Sequence, residues 1–181
     1  MSRGLGDVYK RQDKKSEKKE EGNIQQENTF VNPLKTEGAQ CWANYYDGWY
    51  YYMQEAVDRL ELWRTRDITD LEHAEHKVIW IPKDPSNAHH LWGPEIHPIA
   101  GKWYVYYAAS DDNMDNHQLF VLENSSADPF EGEFELKGRI STDKNNNWAI
   151  HPNVFEHRGE WYMTWSCLLY TSPSPRDMRR S

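Results

Sequence analysis

The feature that most constrains the fold is a hairpin that starts three times. Gly48, Gly101 and Gly159 each sit just ahead of an adjacent tryptophan–tyrosine pair: Trp49-Tyr50, Trp103-Tyr104 and Trp161-Tyr162. Aligned on those pairs, the spacing is 54 and then 58 residues. A long period carrying about four short strands per unit indicates the radial sheets of a β-propeller rather than a solenoid. A β-sandwich of short strands accounts for the strands but not for the repeat. Within the first unit, Asp47-Gly48 divides A-N-Y-Y from W-Y-Y-Y-M, a strong hairpin signal. Further strands are expected over Arg59–Arg66 and Lys77–Ile81. Asp67–His76, which has helical flavour, is expected to be a loop. The pattern restarts over Glu95–Ala109, with Gly101 in the turn, and continues through His117–Glu123 and Glu133–Ile140. It restarts again over His151–Ser166, with Gly159 in the turn. Two complete four-stranded units and the first hairpin of a third are therefore expected.

The two ends read differently. Residues 2–12, S-R-G-L-G-D-V-Y-K-R-Q, back-translate to a string that resembles a transposon-type sequencing adapter with its mosaic end. Residues 167–177, C-L-L-Y-T-S-P-S-P-R-D, fit the reverse complement of the same stretch. Residues 1–12 and 167–181 are expected to be adapter-derived and are set aside from fold reasoning. The segment from 13 to about 166 is then expected to be an internal piece of a longer gene. Residues 167–171 are apolar enough to prolong the preceding strand by accident. Residues 13–28 hold one aliphatic side chain among mixed charges and are expected to be a disordered linker, either a tether behind an export signal or an ordinary leader. The propeller portion is assigned to 29–166.

Composition narrows the partners. The whole chain carries 21 Lys and Arg against 29 Asp and Glu. With the two ends removed the balance is 15 against 27, which disfavours a polyanionic partner such as nucleic acid. No run of about 18 apolar residues is present to span a membrane. Cys41 is left as a lone cysteine, which cannot form an internal disulfide. Nine Trp and eleven Tyr are many for 181 residues, and nearly all lie between Trp42 and Trp165. Such rings favour strands and cross-strand packing. Exposed among carboxylates and amides, they also offer stacking faces to sugars.

The motifs then resemble a known family, glycoside hydrolase family 43. The resemblance runs through N-P-L at Asn32–Leu34, G-A-x-x-W at Gly38–Trp42 and the following D-G-W-Y-Y-Y. It continues in L-W-G-P-E-I-H at Leu91–His97 and G-K-W-Y-V-Y-Y-A-A after it. N-H-Q-L-F-V-L-E-N at Asn116–Asn124, D-P-F-E-G at Asp128–Gly132 and W-A-I-x-x-x-V-F at Trp148–Phe155 complete it. It is collinear from Thr29 to Ser166 and is nearest the exo-acting α-L-arabinofuranosidase-like members. The resemblance implies an all-β, five-bladed propeller, of which about two and a half blades are present. It also implies inverting hydrolysis of O-glycosyl bonds, in which one carboxylate activates water and a carboxylic acid protonates the leaving oxygen. A third carboxylate tunes the acid.

Two of the implied carboxylate positions hold other residues. Gln40 stands at the general-base position, where the family has Asp in G-A-D-P-W, and Cys41 replaces the proline. His151 stands at the pKa-tuning position, where the family has Asp in W-A-I-D. The general-acid Glu would come from a later blade. A glutamine cannot accept a proton near neutral pH; an imidazole can, with an ordinary pKa near 6.5, but the position of His151 does not correspond to the base, and a hydrogen-bonding, non-titrating cavity residue is its favoured reading. Glu95 is the remaining carboxylate at a blade start, either contacting substrate or held by a salt bridge or backbone bonds.

Trp42, Trp92 and Trp148 flank the blade starts and could stack on sugar or simply pack. His97 and His117 are candidate polar contacts. His89, His90 and His97 lack a recognised ligand spacing, so neither a metal nor another cofactor is expected. The expected partner is an arabinose- or xylose-containing oligo- or polysaccharide, and the expected location is extracellular or periplasmic, with or without a lipoprotein tether. Three functional readings stand: a plant-polysaccharide hydrolase, a glycan-binding propeller that has lost hydrolysis, and a hydrolase with relocated acid and base groups.

Overall fold

The computed structural model describes residues 29–167. The expectations for residues 1–12, 13–28 and 168–181 lie outside the described residues. Ten strands form three antiparallel sheets in chain order. The first sheet holds β1 (Trp42–Tyr46), β2 (Trp49–Met53), β3 (Leu60–Thr65) and β4 (Glu75–Trp80). The second holds β5 (His89–Ile99), β6 (Lys102–Ser110), β7 (Gln118–Asn124) and β8 (Glu135–Ile140). The third is the hairpin of β9 (Ala149–His157) and β10 (Glu160–Cys167). The first strands of successive sheets pack side by side, β1 against β5 and β5 against β9. This is an all-β partial propeller: two whole blades and the inner hairpin of a third. The loop expected over Asp67–His76 is confined to residues 67–74, because Glu75 and His76 already pair with β3 as the start of β4.

The three hairpins turn the same way. Each closes through a two-residue loop whose residues both have positive φ: Asp47 at 49° and Gly48 at 77°, Ala100 at 51° and Gly101 at 78°, Arg158 at 55° and Gly159 at 82°. These are type I′ turns, whose twist matches that of the flanking strands. The pairs closing them are Tyr46 with Trp49, Ile99 with Lys102 and His157 with Glu160.

This register corrects the repeat as read from the aromatic pairs. Trp49 corresponds to Lys102 and Glu160, while Tyr50 corresponds to Trp103 and Trp161. The true spacing, turn to turn, is 53 and 58 residues. A slip of one residue matters because side chains alternate faces along a strand. Trp103 is 2% exposed in the core, whereas Trp49 is half-buried beneath the Arg64 and Arg66 guanidinium groups.

The second blade also begins earlier than Glu95. β5 starts at His89 and is irregular as far as Glu95, with register shifts around Trp92 and left-handed backbone at His90 and Gly93. Alternation breaks at bulges of this kind, so the sequence pattern conceals the beginning of the strand.

The main core lies between the first two blades. Tyr51, Met53, Leu60, Leu62 and Ile79 meet Leu91, Ile96, Trp103, Val105 and Tyr107 there. Each fully buried leucine contributes roughly 1.5–3 kcal/mol by leaving water. Ala108, Leu119, Ala149 and Ile150 fill the smaller core between the second and third blades. Polar ties run across the same seams. Asn44 Nδ2 donates to the Ile96 carbonyl at 3.1 Å, and Ala149 N–H donates to the His117 carbonyl at 3.0 Å. Farther out, Arg64 binds Glu75 at 2.7 Å and Asp128 at 2.6 Å while lying over Trp49 and Phe130.

Candidate functional site

Counting seven residues back from the first residue of each turn gives Gln40, Gly93 and His151. All three have left-handed backbone, with φ of 49°, 53° and 50°. Left-handed conformation costs a non-glycine residue about 1–2 kcal/mol, and Asp and Asn tolerate it better than Gln. Strained positions of this kind gather where function demands them. Here they gather in one place. Gln40, Gly93 and His151 line a single cleft of about 190 Å³, together with Cys41, Trp42, Pro94, Glu95 and Pro152.

Gly93 lies between the other two. A Cβ placed on it would stand 3.3 Å from His151 Cδ2 and 3.5 Å from Gln40 Oε1. The amide of Gln40 and the imidazole of His151 thus close on the same small space, which the missing side chain keeps open. Both residues are exposed to solvent.

Glu95 lines the cleft but is not the register partner of Gln40 and His151. It stands two residues further along its strand, where the first and third blades have Trp42 and Asn153. Its side chain is buried and its oxygens are occupied. Asn153 Nδ2 donates to Oε1 at 3.0 Å, Val154 N–H donates to Oε2 at 3.0 Å, and His97 Nε2 lies 3.1 Å from Oε2. Glu95 is therefore bound to the third blade by a backbone and a side-chain donor, and it holds the strand that carries His151. Among the described residues, it is the carboxylate that lines the cleft.

The other sequence candidates are distributed unevenly. Trp42 lines the cleft, with its ring 5.2 Å from that of His97. His97 is 5% exposed and lies behind Glu95 rather than in the cleft. His117 is fully buried. Its Nδ1 is 2.8 Å from the Met114 carbonyl oxygen and its Nε2 is 3.1 Å from that of His90. Trp92 stacks on the His117 ring at 4.1 Å, and Trp148 donates its indole N–H to the Met114 carbonyl at 2.8 Å. These three form a packed joint between the second and third blades, away from the cleft lining.

Gly93 and Cys41 line the cleft although neither was a sequence candidate for the site. Gly93 lies inside the L-W-G-P-E-I-H motif, and Cys41 was noted only as standing in place of a proline. The Cys41 thiol lies 3.1 Å from the Tyr52 hydroxyl, which also donates to Gln54 Oε1 at 3.0 Å. Burial, followed by the hydrogen bond to Cys41, pushes the Tyr52 hydroxyl well above its ordinary pKa, so it remains a donor.

Comparison with known proteins follows the same pattern. The sequence profile of "Glycosyl hydrolases family 43" matches residues 27–173. An extracellular exo-alpha-(1->5)-L-arabinofuranosidase of Streptomyces chartreusis is 37% identical over 142 residues, covering 76% of this chain and 43% of that protein. Alpha-L-arabinofuranosidase 43 of Humicola insolens is 33% identical over 126 residues, covering 66% of this chain and 25% of its own length. Among solved structures, the crystal structure of an alpha-L-arabinofuranosidase from Lactobacillus brevis superimposes with a TM-score of 0.73. It is 28% identical and covers 80% of this chain and 48% of that one. The chain thus spans less than half the length of the relatives it matches.

Proposed function

Because this chain belongs to glycosyl hydrolase family 43, we propose that the whole protein hydrolyses O-glycosyl bonds in arabinose-containing plant oligo- or polysaccharide, and that this chain forms one wall of the sugar site. The observation carrying this reading is the convergence of Gln40, Gly93 and His151, three register-equivalent blade starts, on one cleft. Relatives named as extracellular arabinofuranosidases support the choice of arabinose and a location outside the cell.

In this reading Trp42 offers its ring to one face of the sugar. Gln40 donates and accepts hydrogen bonds with its hydroxyls, and Glu95 positions the His151 strand instead of exchanging protons. His151 is the exposed imidazole in the cleft and can orient a hydroxyl or a water. Inverting hydrolysis requires a carboxylate on each side of the scissile bond, spaced to admit water. Gln40 supplies an amide where that chemistry needs a base, so the chain by itself binds sugar and does not turn it over.

The test uses the chain as it stands, titrated with α-1,5-linked arabinotriose and assayed with aryl α-L-arabinofuranoside and aryl β-D-xyloside. The expected result is saturable perturbation of Trp42 and His151 signals, without turnover. Absence of any response in the cleft overturns the binding reading. Turnover abolished by Glu95→Gln overturns the roles given to Gln40 and Glu95.

A further inference from the structure

A larger cavity, of about 620 Å³, opens on the same end of the sheets as the cleft but farther out along the second blade. Its rim comes from three connections that all leave the blade at the end where β5 begins: β4–β5, β6–β7 and β8–β9. Its floor is β7 and β8. Phe120 and Leu136 supply a limited apolar surface there, and Gly138 borders open space, with no atom within 4 Å of where a Cβ would stand. The volume falls within the roughly 300–1,000 Å³ usual for small-molecule sites.

Its polar lining is mixed in a particular way. Asp84, Asp111 and Asp115 bring acceptors, while Asn116, Asn146 and Arg139 bring donors. Arg139 is exposed and forms no ion pair among the described residues. Asn87 in the lining is 3% exposed, and its Oδ1 has no hydrogen-bond partner. Two of the acidic side chains, Asp84 and Asp111, already have local duties. Asp84 accepts from Ser86 N–H at 2.9 Å, and Asp111 accepts from Asn116 Nδ2 at 3.0 and 3.1 Å. They are therefore held in place, with lone pairs remaining.

Three carboxylates around one guanidinium disfavour an anion. No group of three or more His, Cys, Asp or Glu suited to a metal ion occurs among the described residues. Acceptors and donors together over a small apolar floor suit a neutral polyhydroxyl ligand, whose hydroxyls give and take hydrogen bonds together.

We propose that this cavity is a second, non-catalytic glycan subsite that holds an uncharged pentose residue of an arabinose-containing chain. The proposal rests on the glycan reading of the cleft. Sugar hydroxyls donate to the free lone pairs of Asp84 and Asp115 and accept from Arg139 and Asn146, while the ring covers Phe120 and Leu136. Two sugar positions on one end of the sheets would hold a polymer at more than one point, which raises avidity without a change in the cleft.

The experiment is a ¹⁵N-edited titration of the chain with α-1,5-linked arabinotriose, repeated on the double variant Arg139→Ala, Asn146→Ala and on Trp42→Ala. Arg139, on β8, and Asn146, in the β8–β9 connection, are both exposed, and the spectrum itself reports folding. The expected result is saturable shifts of the Asn116 and Asn146 side-chain amides. In the double variant the response, read at the Asn116 amide, should weaken about tenfold, as loss of a charge-assisted hydrogen bond does, and Trp42→Ala should leave it unchanged. Shifts confined to Trp42 and His151 overturn the second subsite and leave the cleft reading standing. Shifts confined to the cavity sustain the subsite and overturn the cleft. A response to calcium with none to the trisaccharide overturns the sugar assignment.

Discussion

Each inner hairpin of this protein has two ends, and the same backbone conformation serves opposite purposes at them. At the turn end, left-handed residues close type I′ loops at Asp47-Gly48, Ala100-Gly101 and Arg158-Gly159. At the start end, seven residues earlier, left-handed residues open the strand at Gln40, Gly93 and His151. The turn end pairs each glycine with a non-glycine left-handed residue, Asp47, Ala100 or Arg158, and so carries that steric cost three times. The start end uses glycine once and carries the cost twice, at the two residues that face the cleft. Strain at the turn end only reverses the chain, whereas strain at the start end brings side chains together.

The comparison can be broken at its firmest point, the Glu95 anchor. Glu95→Ala strands the Val154 N–H, the Asn153 amide and the His97 ring next to a new void. A buried donor left without its partner costs about 1–3 kcal/mol, and a destabilisation of about 3 kcal/mol is expected in urea or thermal unfolding. A change below about 1 kcal/mol would mean that the third blade is held by its apolar seam alone.

Next in size is the glycine at the turn end. Gly101→Ala meets no neighbouring atom, so its whole cost is conformational, about 1–2 kcal/mol. The reverse changes sharpen the contrast between the ends. Ala100→Gly and His151→Gly should each recover up to about 1 kcal/mol from left-handed strain, while only His151→Gly weakens arabinotriose binding. Equal losses of binding would show that the two ends are not functionally distinct.

A comparable loss of stability, with a loss of binding added, is expected from Gly93→Ala, because its backbone is left-handed at φ 53° and a non-glycine residue there costs about 1–2 kcal/mol. Its methyl would also lie 3.3 Å from His151 Cδ2, so the imidazole and the Gln40 amide must part slightly. Affinity for the trisaccharide should fall several-fold, readable by the same titration, whereas Gly101→Ala should leave it unchanged.

The smallest concerns the turn end and pH. The Tyr104 hydroxyl, then Lys102, holds the Glu123 carboxyl below its ordinary pKa. A lowered carboxylate pKa contributes stability that is present above the unfolded value and disappears as pH falls through the folded one. Glu123→Gln should flatten the acid limb of the stability profile slightly and leave the neutral region unchanged. An unaltered acid limb would remove Glu123 from the account.

Much of the strand order was legible from local chemistry. Gly48, Gly101 and Gly159 mark reversals that few other residues make cheaply, and the alternating aromatics between them select strands. The same aromatics misled the register by one residue, because Trp49 and Trp103 look alike in sequence while standing on opposite faces of their strands. The start of β5 was hidden for a related reason: bulges near Trp92 erase the two-residue period on which the reading depends.

What the sequence determined by itself was the repeated hairpin, the family and the departures at Gln40 and His151, since these are matters of residue type and spacing along one strand. Only the tertiary structure decided which residues share the cleft. It brought Gln40, Gly93 and His151 together from three blades and turned Glu95 toward Asn153 and Val154. It also withdrew His97, His117, Trp92 and Trp148 into packing. Convergence across blades depends on how sheets stack through long-range contacts, and buried hydrogen bonding decides whether a polar side chain faces ligand or protein. Neither leaves a period in the chain.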